Sequence, residues 1–139
     1  MAKQRKNKPA VTAVVQLSGN DNRHLFEATL RELNDRAIKN DGLFVEFGVP
    51  RLHDGASPNE RITRYRHIDQ NRVCAKIKSL WLENGEIMGS IETTGPMAAL
   101  VEAAIVRGNE RDLRFGLRAM TKPNNSVEII TYDLVDYGN

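Results

Sequence analysis

The segment "RVCAKIKSLWLENGEIMGSIETT" (72–94) constrains the fold more than any other part of this chain. Apolar and other residues alternate through its first half, which is the period of a β-strand. The two sets are Val73, Ala75 and Ile77 on one face, and Cys74, Lys76 and Lys78 on the other. Asn84-Gly85 then supplies two residues that accept positive φ in a tight turn, and a second strand follows. The segment therefore predicts a β-hairpin with a fixed register.

Further strands and two helices are predicted around this hairpin. The strands are "VTAVVQL" (11–17), "GLFVEFGV" (42–49), "DLRFGLRAM" (112–120) and "SVEIITYDLV" (126–135). An amphipathic helix is predicted over 22–39, and a helix over 96–108 whose apolar residues lie nearly all round, so we expect it to be buried on more than one side. This order predicts an α+β domain built on a mainly antiparallel sheet or a partly closed barrel, with two helices.

The remaining long segment, 50–71, is polar and arginine-rich and contains His53 and His67. A connection of this length in a compact domain is usually functional or mobile. Its arginines and Tyr65 could contact nucleic acid, but acidic residues are interleaved with them. A solvated loop or a contact with another subunit is the preferred interpretation.

Length and charge divide the 139 residues into a basic N-terminal arm (1–10) and a single domain (11–139). The arm carries four positive charges and no acid, whereas the rest has a formal excess of two negative charges. The arm therefore predicts either a contact with a polyanion or acidic subunit, or a solubilising tail. The expected partner-binding residues are Lys3, Arg5, Lys6 and Lys8 in the arm, with Arg61, Arg64 and Arg66 in the long segment.

Common catalytic and cofactor motifs are absent from the sequence. Neither a phosphate-binding P-loop nor a G-x-G-x-x-G turn occurs, and the three histidines match no compact metal-ligand spacing, so no cofactor and no metal are expected. The single cysteine, Cys74, excludes an intrachain disulfide and fits a reducing compartment. Cys74 is expected in the outward or edge register of its strand, as a structural residue. No apolar run is long enough to cross a bilayer, and no secretory signal is seen.

From Gly48 to its C-terminus the chain resembles the prohead (procapsid) maturation proteases of tailed phages, serine enzymes of the herpesvirus assemblin type. The matching parts are "GVPRLHD" (48–54), the arginine-rich segment, the hairpin, "PMAALVEAAIVRGNERDLRFGLRAM" (96–120) and "SVEIITYDLVDYGN" (126–139). In that family a turn after a glycine carries the catalytic histidine, and the strand after the second helix has a core of G-[VI]-S-S-R-G. The resemblance implies a herpesvirus-protease-like fold over about two-thirds of the chain.

The same resemblance shows what this chain lacks. Alignment on Arg118 puts Gly116 and Leu117 where the family has its two serines, so the expected nucleophile is absent. His53 lies one residue beyond the expected histidine position, and is a possible remnant. Ser126, at the start of the next strand, is not expected to reach the same place. Apart from the resemblance, "FGLRAM" is simply a strand with Phe115 and Leu117 on one face and Gly116 and Arg118 on the other.

The sequence leaves three functional hypotheses. The first is a catalytically inactive, protease-like structural protein, used as a decoration or cement subunit on a phage head. The others are an active maturation protease with an unorthodox nucleophile, Ser126 with His53, and a regulatory module that binds a peptide by strand addition. The first hypothesis implies that the protein is found in the virion after assembly in the host cytoplasm. Its partners would be the major capsid protein or other head subunits, possibly with a second copy of itself; nucleic acid is less favoured, and no membrane is expected.

Overall fold

The computed structural model describes residues 10–18, 23–48, 50, 52, 54–121, 123–124 and 127–137. These described residues form six strands and three α-helices. The strands are β1 (Thr12–Ser18), β2 (Leu43–Glu46), β3 (Val73–Glu83), β4 (Glu86–Thr93), β5 (Arg114–Thr121) and β6 (Val127–Asp136). The helices are α1 (Arg23–Lys39), α2 (Pro58–Arg66) and α3 (Ala98–Val106), with single 3-10 turns at Gln70–Arg72 and Glu110–Asp112.

The strands form two antiparallel sheets, which confirms the predicted α+β class and the mainly antiparallel pairing. One sheet has the order β1-β4-β3-β2, and β5 pairs with β6 in the other. The β3–β4 hairpin is confirmed: Asn84 and Gly85 both have positive φ, 53° and 82°, and Glu83 pairs with Glu86. A positive φ at both positions suits a two-residue turn whose twist matches the strands.

The two sheets meet along β2 and β6 without closing into a barrel. Phe47 and Leu134 form an isolated parallel bridge, and the Thr131 hydroxyl donates to the Phe44 carbonyl at 2.8 Å. On the other side β1 contacts β5. Buried side chains from both sheets, such as Val15, Ile77 and Leu134, belong to one continuous apolar core.

Helix α1 packs on the first sheet by way of Leu33 and Ala37, which are buried. Its Arg36 donates to the Ile129 carbonyl at 2.6 Å, so α1 also contacts the second sheet. Asn34 accepts a hydrogen bond from the Leu80 amide at 2.8 Å, in the half of β3 that extends beyond β2.

Helix α3 differs from its expected environment. Only Val101 and Ala104 are buried, and Val106 at the end of the helix is 75% exposed. Residues three apart lie on one helical face. The expectation that α3 is buried on more than one side was therefore wrong. The helix buries one face, and apolar residues on its other faces are partly or largely exposed to solvent.

The number of helices also differs from the expected two, because α2 forms within the long polar segment. Ser57 accepts a hydrogen bond from the Glu60 amide at 3.1 Å, and the Glu60 carboxylate accepts one from the Ser57 amide at 2.8 Å. Pro58 occupies the first turn. This reciprocal capping box is readable in the sequence as S-P-N-E, a start signal that apolar periodicity alone does not reveal.

Candidate functional site

Strand β5, which carries Gly116, Leu117 and Arg118, pairs with β6. Phe115 and Leu117 lie opposite Leu134 and Tyr132, while Gly116 lies opposite Asp133 and Arg118 opposite Thr131. Leu117 is 37% exposed and Arg118 only 4% exposed. A β-carbon on Gly116 would lie 3.1 Å from Val135 Cγ1, so a larger residue here requires a small shift of that side chain.

Arg118 is part of a four-residue ion-pair cluster with Glu46, Arg64 and Asp133. Its Nε and Nη2 donate to the two oxygens of Asp133 at 2.9 and 2.7 Å, a bidentate pair. Nη2 also lies 3.0 Å from Glu46 Oε2. Arg64 donates to both oxygens of Glu46, at 2.7 and 3.1 Å. The cluster therefore joins β2, α2, β5 and β6.

Backbone groups after α2 complete the hydrogen bonding of the cluster. Arg118 Nη1 donates to the carbonyls of Tyr65 and His67 at 3.3 and 3.2 Å, and Arg64 Nη1 also donates to His67 O. The Asp69 amide donates to Glu46 Oε2 at 2.8 Å. Cationic donors at the last carbonyls of a helix satisfy groups that have no partner within the helix.

Burial and hydrogen bonding act in opposite directions on the two carboxylates. Burial alone would raise the pKa of Glu46, but hydrogen bonds from Arg64, the Asp69 amide and Arg118 lower it from 4.5 to about 2. For Asp133, burial outweighs the bonds from Arg118 and raises the pKa above its ordinary value of 3.8. Glu46 is therefore the carboxylate held most firmly in its charged form.

Cys74 lies near this cluster, but its environment suppresses thiolate chemistry. It is fully buried, and its thiol donates to the Val45 carbonyl at 3.5 Å. Burial, together with the charge of Asp133, raises its pKa to about 12. The expected outward or edge position of Cys74 was wrong, because both faces of β3 are covered where Val73, Cys74 and Ala75 are all buried.

The candidate catalytic residues His53 and Ser126 lie outside the described residues. His67 is exposed at the end of α2, with Nδ1 2.7 Å from the Thr63 carbonyl. Leu52, Thr63 and His67 line an open, largely apolar groove of about 490 Å³ beside α2. Within the described ranges, no group of three or more His, Cys, Asp or Glu side chains is placed to hold a metal ion.

The predicted partner-binding arginines have different environments. Arg61 is exposed. Arg66 is half-exposed and pairs with Glu128 at 3.0 Å. Arg64 donates inward to Glu46, so its guanidinium belongs to the ion-pair cluster. The arm residues Lys3, Arg5, Lys6 and Lys8 lie outside the described residues. In the part of the chain that is described, no helix is long and apolar enough to cross a membrane.

Sequence reasoning pointed to Arg118 but missed Glu46 and Asp133 as its partners. Glu46 is the single acid within the otherwise apolar run "GLFVEFGV", and Asp133 interrupts the later part of "SVEIITYDLV", after Ile129 and Ile130. A charged residue inside a buried strand requires a partner of opposite charge. That rule could have suggested that these acids and Arg118 belong together.

Comparison with known proteins identifies the family of this α+β domain. The Peptidase S80 family model matches residues 18–139, so the chain belongs to this family. It is also 30% identical, over 122 residues, to the capsid maturation protease of Pseudomonas phage phiKZ. This match confirms the resemblance to phage prohead proteases.

The match to the phiKZ protein covers 74% of this chain and 45% of that protein. The chain thus spans about half the length of the relative it matches. No solved structure matches the chain, and the herpesvirus-protease-like fold stays a prediction.

Proposed function

We propose that this protein is a catalytically inactive, protease-like component of a phage head, with a structural role as a decoration or cement subunit. The observation that carries the proposal is at β5: Gly116 and Leu117 stand where the family resemblance expects serines, and neither has a nucleophilic atom. The next residue, Arg118, is buried and bonded to Asp133 and Glu46. This strand is suited to holding the fold together.

Similarity to the phiKZ protein supports a role in the phage head. A capsid maturation protease acts during assembly of a phage head, so a family member that has lost its nucleophile would keep a fold suited to contacts with capsid subunits. The basic arm would supply further contacts with an acidic neighbour, since several charges of one sign on one segment add their attractions. The major capsid protein is the proposed partner.

The first experiment measures copy number in purified mature heads by quantitative mass spectrometry. A structural subunit is expected in a fixed ratio to the major capsid protein. The arm variant with Lys3, Arg5, Lys6 and Lys8 changed to Gln should reduce that ratio at least tenfold. A matched control changes four exposed basic residues of the domain to Gln: Arg31, Lys39, Arg107 and Arg111. A copy number near zero for the wild-type protein would overturn the structural role.

An active protease is the second candidate, and membership of a peptidase family favours it. Purified protein is incubated with the capsid proteins of the same phage, and the products are read by mass spectrometry. The proposal expects no cleavage. Cleavage by the wild-type protein that disappears in Ser126→Ala or His53→Ala would replace it with catalysis by an unorthodox nucleophile.

A further inference from the structure

Helix α2 is attached to the domain without a fully buried side chain. None of its nine residues, all of which the structure describes, is buried, and Ile62 is 37% exposed. Most helices of globular proteins are held by burial of one apolar face. Another interaction must therefore keep α2 against the sheets.

Besides the more exposed pair of Arg66 with Glu128, that interaction converges on two buried side chains of the sheets. Glu46 accepts both bonds from Arg64, and Arg118 donates to the Tyr65 and His67 carbonyls at the end of the helix. The side chain of Glu46 is 0% exposed and that of Arg118 2% exposed, whereas that of Arg64 is 23% exposed. Arg64 is therefore the member of the cluster that would move with α2. Glu46, Arg118 and Asp133 would stay in the sheets, and we call these three side chains the floor of the cluster.

Removal of Arg64 would leave the net charge of the floor uncompensated. With α2 in place, two carboxylates face two guanidinium groups. Without Arg64, Glu46 and Asp133 would share Arg118 alone, and one buried negative charge would be uncompensated. A single uncompensated charge in a poorly solvated site costs several kcal/mol. Arg64 thus stabilises the position of α2 against the sheets, because its guanidinium group neutralises Glu46. We call the site beside Glu46 that holds this group the Glu46 socket.

We propose that α2 is a strap, latched by Arg64 in the Glu46 socket, that can lift as a unit from the outer face of β2, β5 and β6 while both sheets stay folded. Lifting uncovers Arg118 and its carboxylate partners, Glu46 and Asp133. A segment with few apolar contacts and polar attachments has the lowest local opening free energy of a fold. The strap belongs to that class of segment.

Hydrogen exchange followed by mass spectrometry on the full chain tests this at neutral pH. Arg64→Met keeps an unbranched apolar stem and removes the guanidinium group and its charge. It should raise the exchange rate of the α2 amides at least tenfold more than that of the β3–β4 hairpin. Arg61→Met, on the same helix at an exposed position, is the matched control and should exchange like the wild type.

Two results would overturn the strap. In the first, the α2 amides of Arg64→Met exchange at the wild-type rate, which would show that another contact holds the helix. In the second, α2 and the hairpin lose protection by the same factor, which would show that the cluster supports the whole fold and that α2 does not open separately. A chemical rescue adds an independent readout. Millimolar ethylguanidinium should restore protection of α2 in Arg64→Ala and have no effect on Arg61→Ala, and failure to rescue would count against a guanidinium socket.

Discussion

At the scale of single residues, Glu46 is the carboxylate that joins Arg64 and Arg118 in the ion-pair cluster. It is fully buried, and it accepts hydrogen bonds from two arginines and one backbone amide. A buried ion pair adds little to stability relative to a well-packed apolar pair, because both ions must lose water. Removal of one partner is costly, however, since the other charge is then left without compensation. Substitutions in the cluster should therefore be far more disruptive than the net value of the ion pairs suggests.

Glu46→Gln should lower the free energy of unfolding by on the order of 3 kcal/mol at neutral pH. The folded pKa of Glu46 is about 2, below its ordinary value of 4.5, so its stabilising contribution is complete above that ordinary value. The contribution is lost as the pH falls through about 2. The difference between wild type and variant should thus shrink as the pH is lowered from about 5 to about 2. Denaturant unfolding, followed by Trp81 fluorescence at a series of pH values, measures it.

Asp41→Asn is the control for this experiment. Asp41 is an exposed carboxylate whose pKa is lowered chiefly by the hydrogen bond from Lys78, with Lys76 adding to it. Exposed pairs are screened by solvent and contribute little. Its φ of 57° is a conformation that asparagine tolerates. A difference between wild type and Glu46→Gln that stays constant down to pH 2 would contradict the assignment of Glu46.

The contacts of individual residues were the part of the structure least predictable from the sequence. Gly116, Leu117 and Arg118 could be picked out from the family resemblance, and their alternation along β5 was correct. The burial of Arg118 could not be derived, because arginine is usually exposed and its partners lie 15 and 72 positions away along the chain. Such long-range pairs depend on how the sheets meet.

At the scale of elements, local signals were enough wherever apolar periodicity or turn chemistry decides the structure. The hairpin, α1 and all six strands follow from these signals. Helix α2 does not, because it is polar and its only strong signal is the capping box at Ser57 and Glu60. An element attached by ionic contacts leaves no apolar stripe in the sequence.

The turn between β4 and α3 gives a prediction about one glycine. Gly95 has φ 85°, and a β-carbon there would lie 2.4 Å from the Val73 carbonyl oxygen. Gly95→Ala should therefore destabilise the fold by the cost of positive φ, about 1 kcal/mol, and by a steric clash that brings the total to at least about 3 kcal/mol. Thermal and denaturant unfolding measure the change.

Gly55→Ala separates the two causes. Gly55 has nearly the same φ, 83°, but a β-carbon there would meet no atom within 4 Å. It should cost only the conformational part, about 1 kcal/mol. Equal destabilisation by the two variants would show that the Val73 backbone moves aside without penalty, contrary to the prediction.

At the scale of the whole molecule, the two sheets share one core although few hydrogen bonds join them. Tyr132 and Leu134 of the second sheet lie in the same buried cluster as Ile77 and Ile91 of the first. The general plan of an α+β domain with mainly antiparallel sheets was predictable from element order. How the sheets meet was not, because it depends on contacts such as Phe47 with Leu134 that no local pattern encodes.

A shared core predicts that both sheets unfold in one transition. Unfolding by denaturant, followed by Trp81 fluorescence for β3 and by far-ultraviolet circular dichroism for all elements, should give coincident curves. The slowest amides of β4 and of β6 should exchange with the same free energy of opening. A lower free energy in β6 would show that the β5–β6 sheet opens separately and would contradict the prediction.

The ion-pair cluster has no net charge, and this limits which substitutions related chains can accept at its four positions. A single replacement among Glu46, Arg64, Arg118 and Asp133 leaves an unmatched ion in a dry site, whereas a joint replacement of two opposite charges does not. Lineages descended from a common ancestor should therefore change these positions in correlated steps. Position 46 should covary with 64, and position 118 with 133.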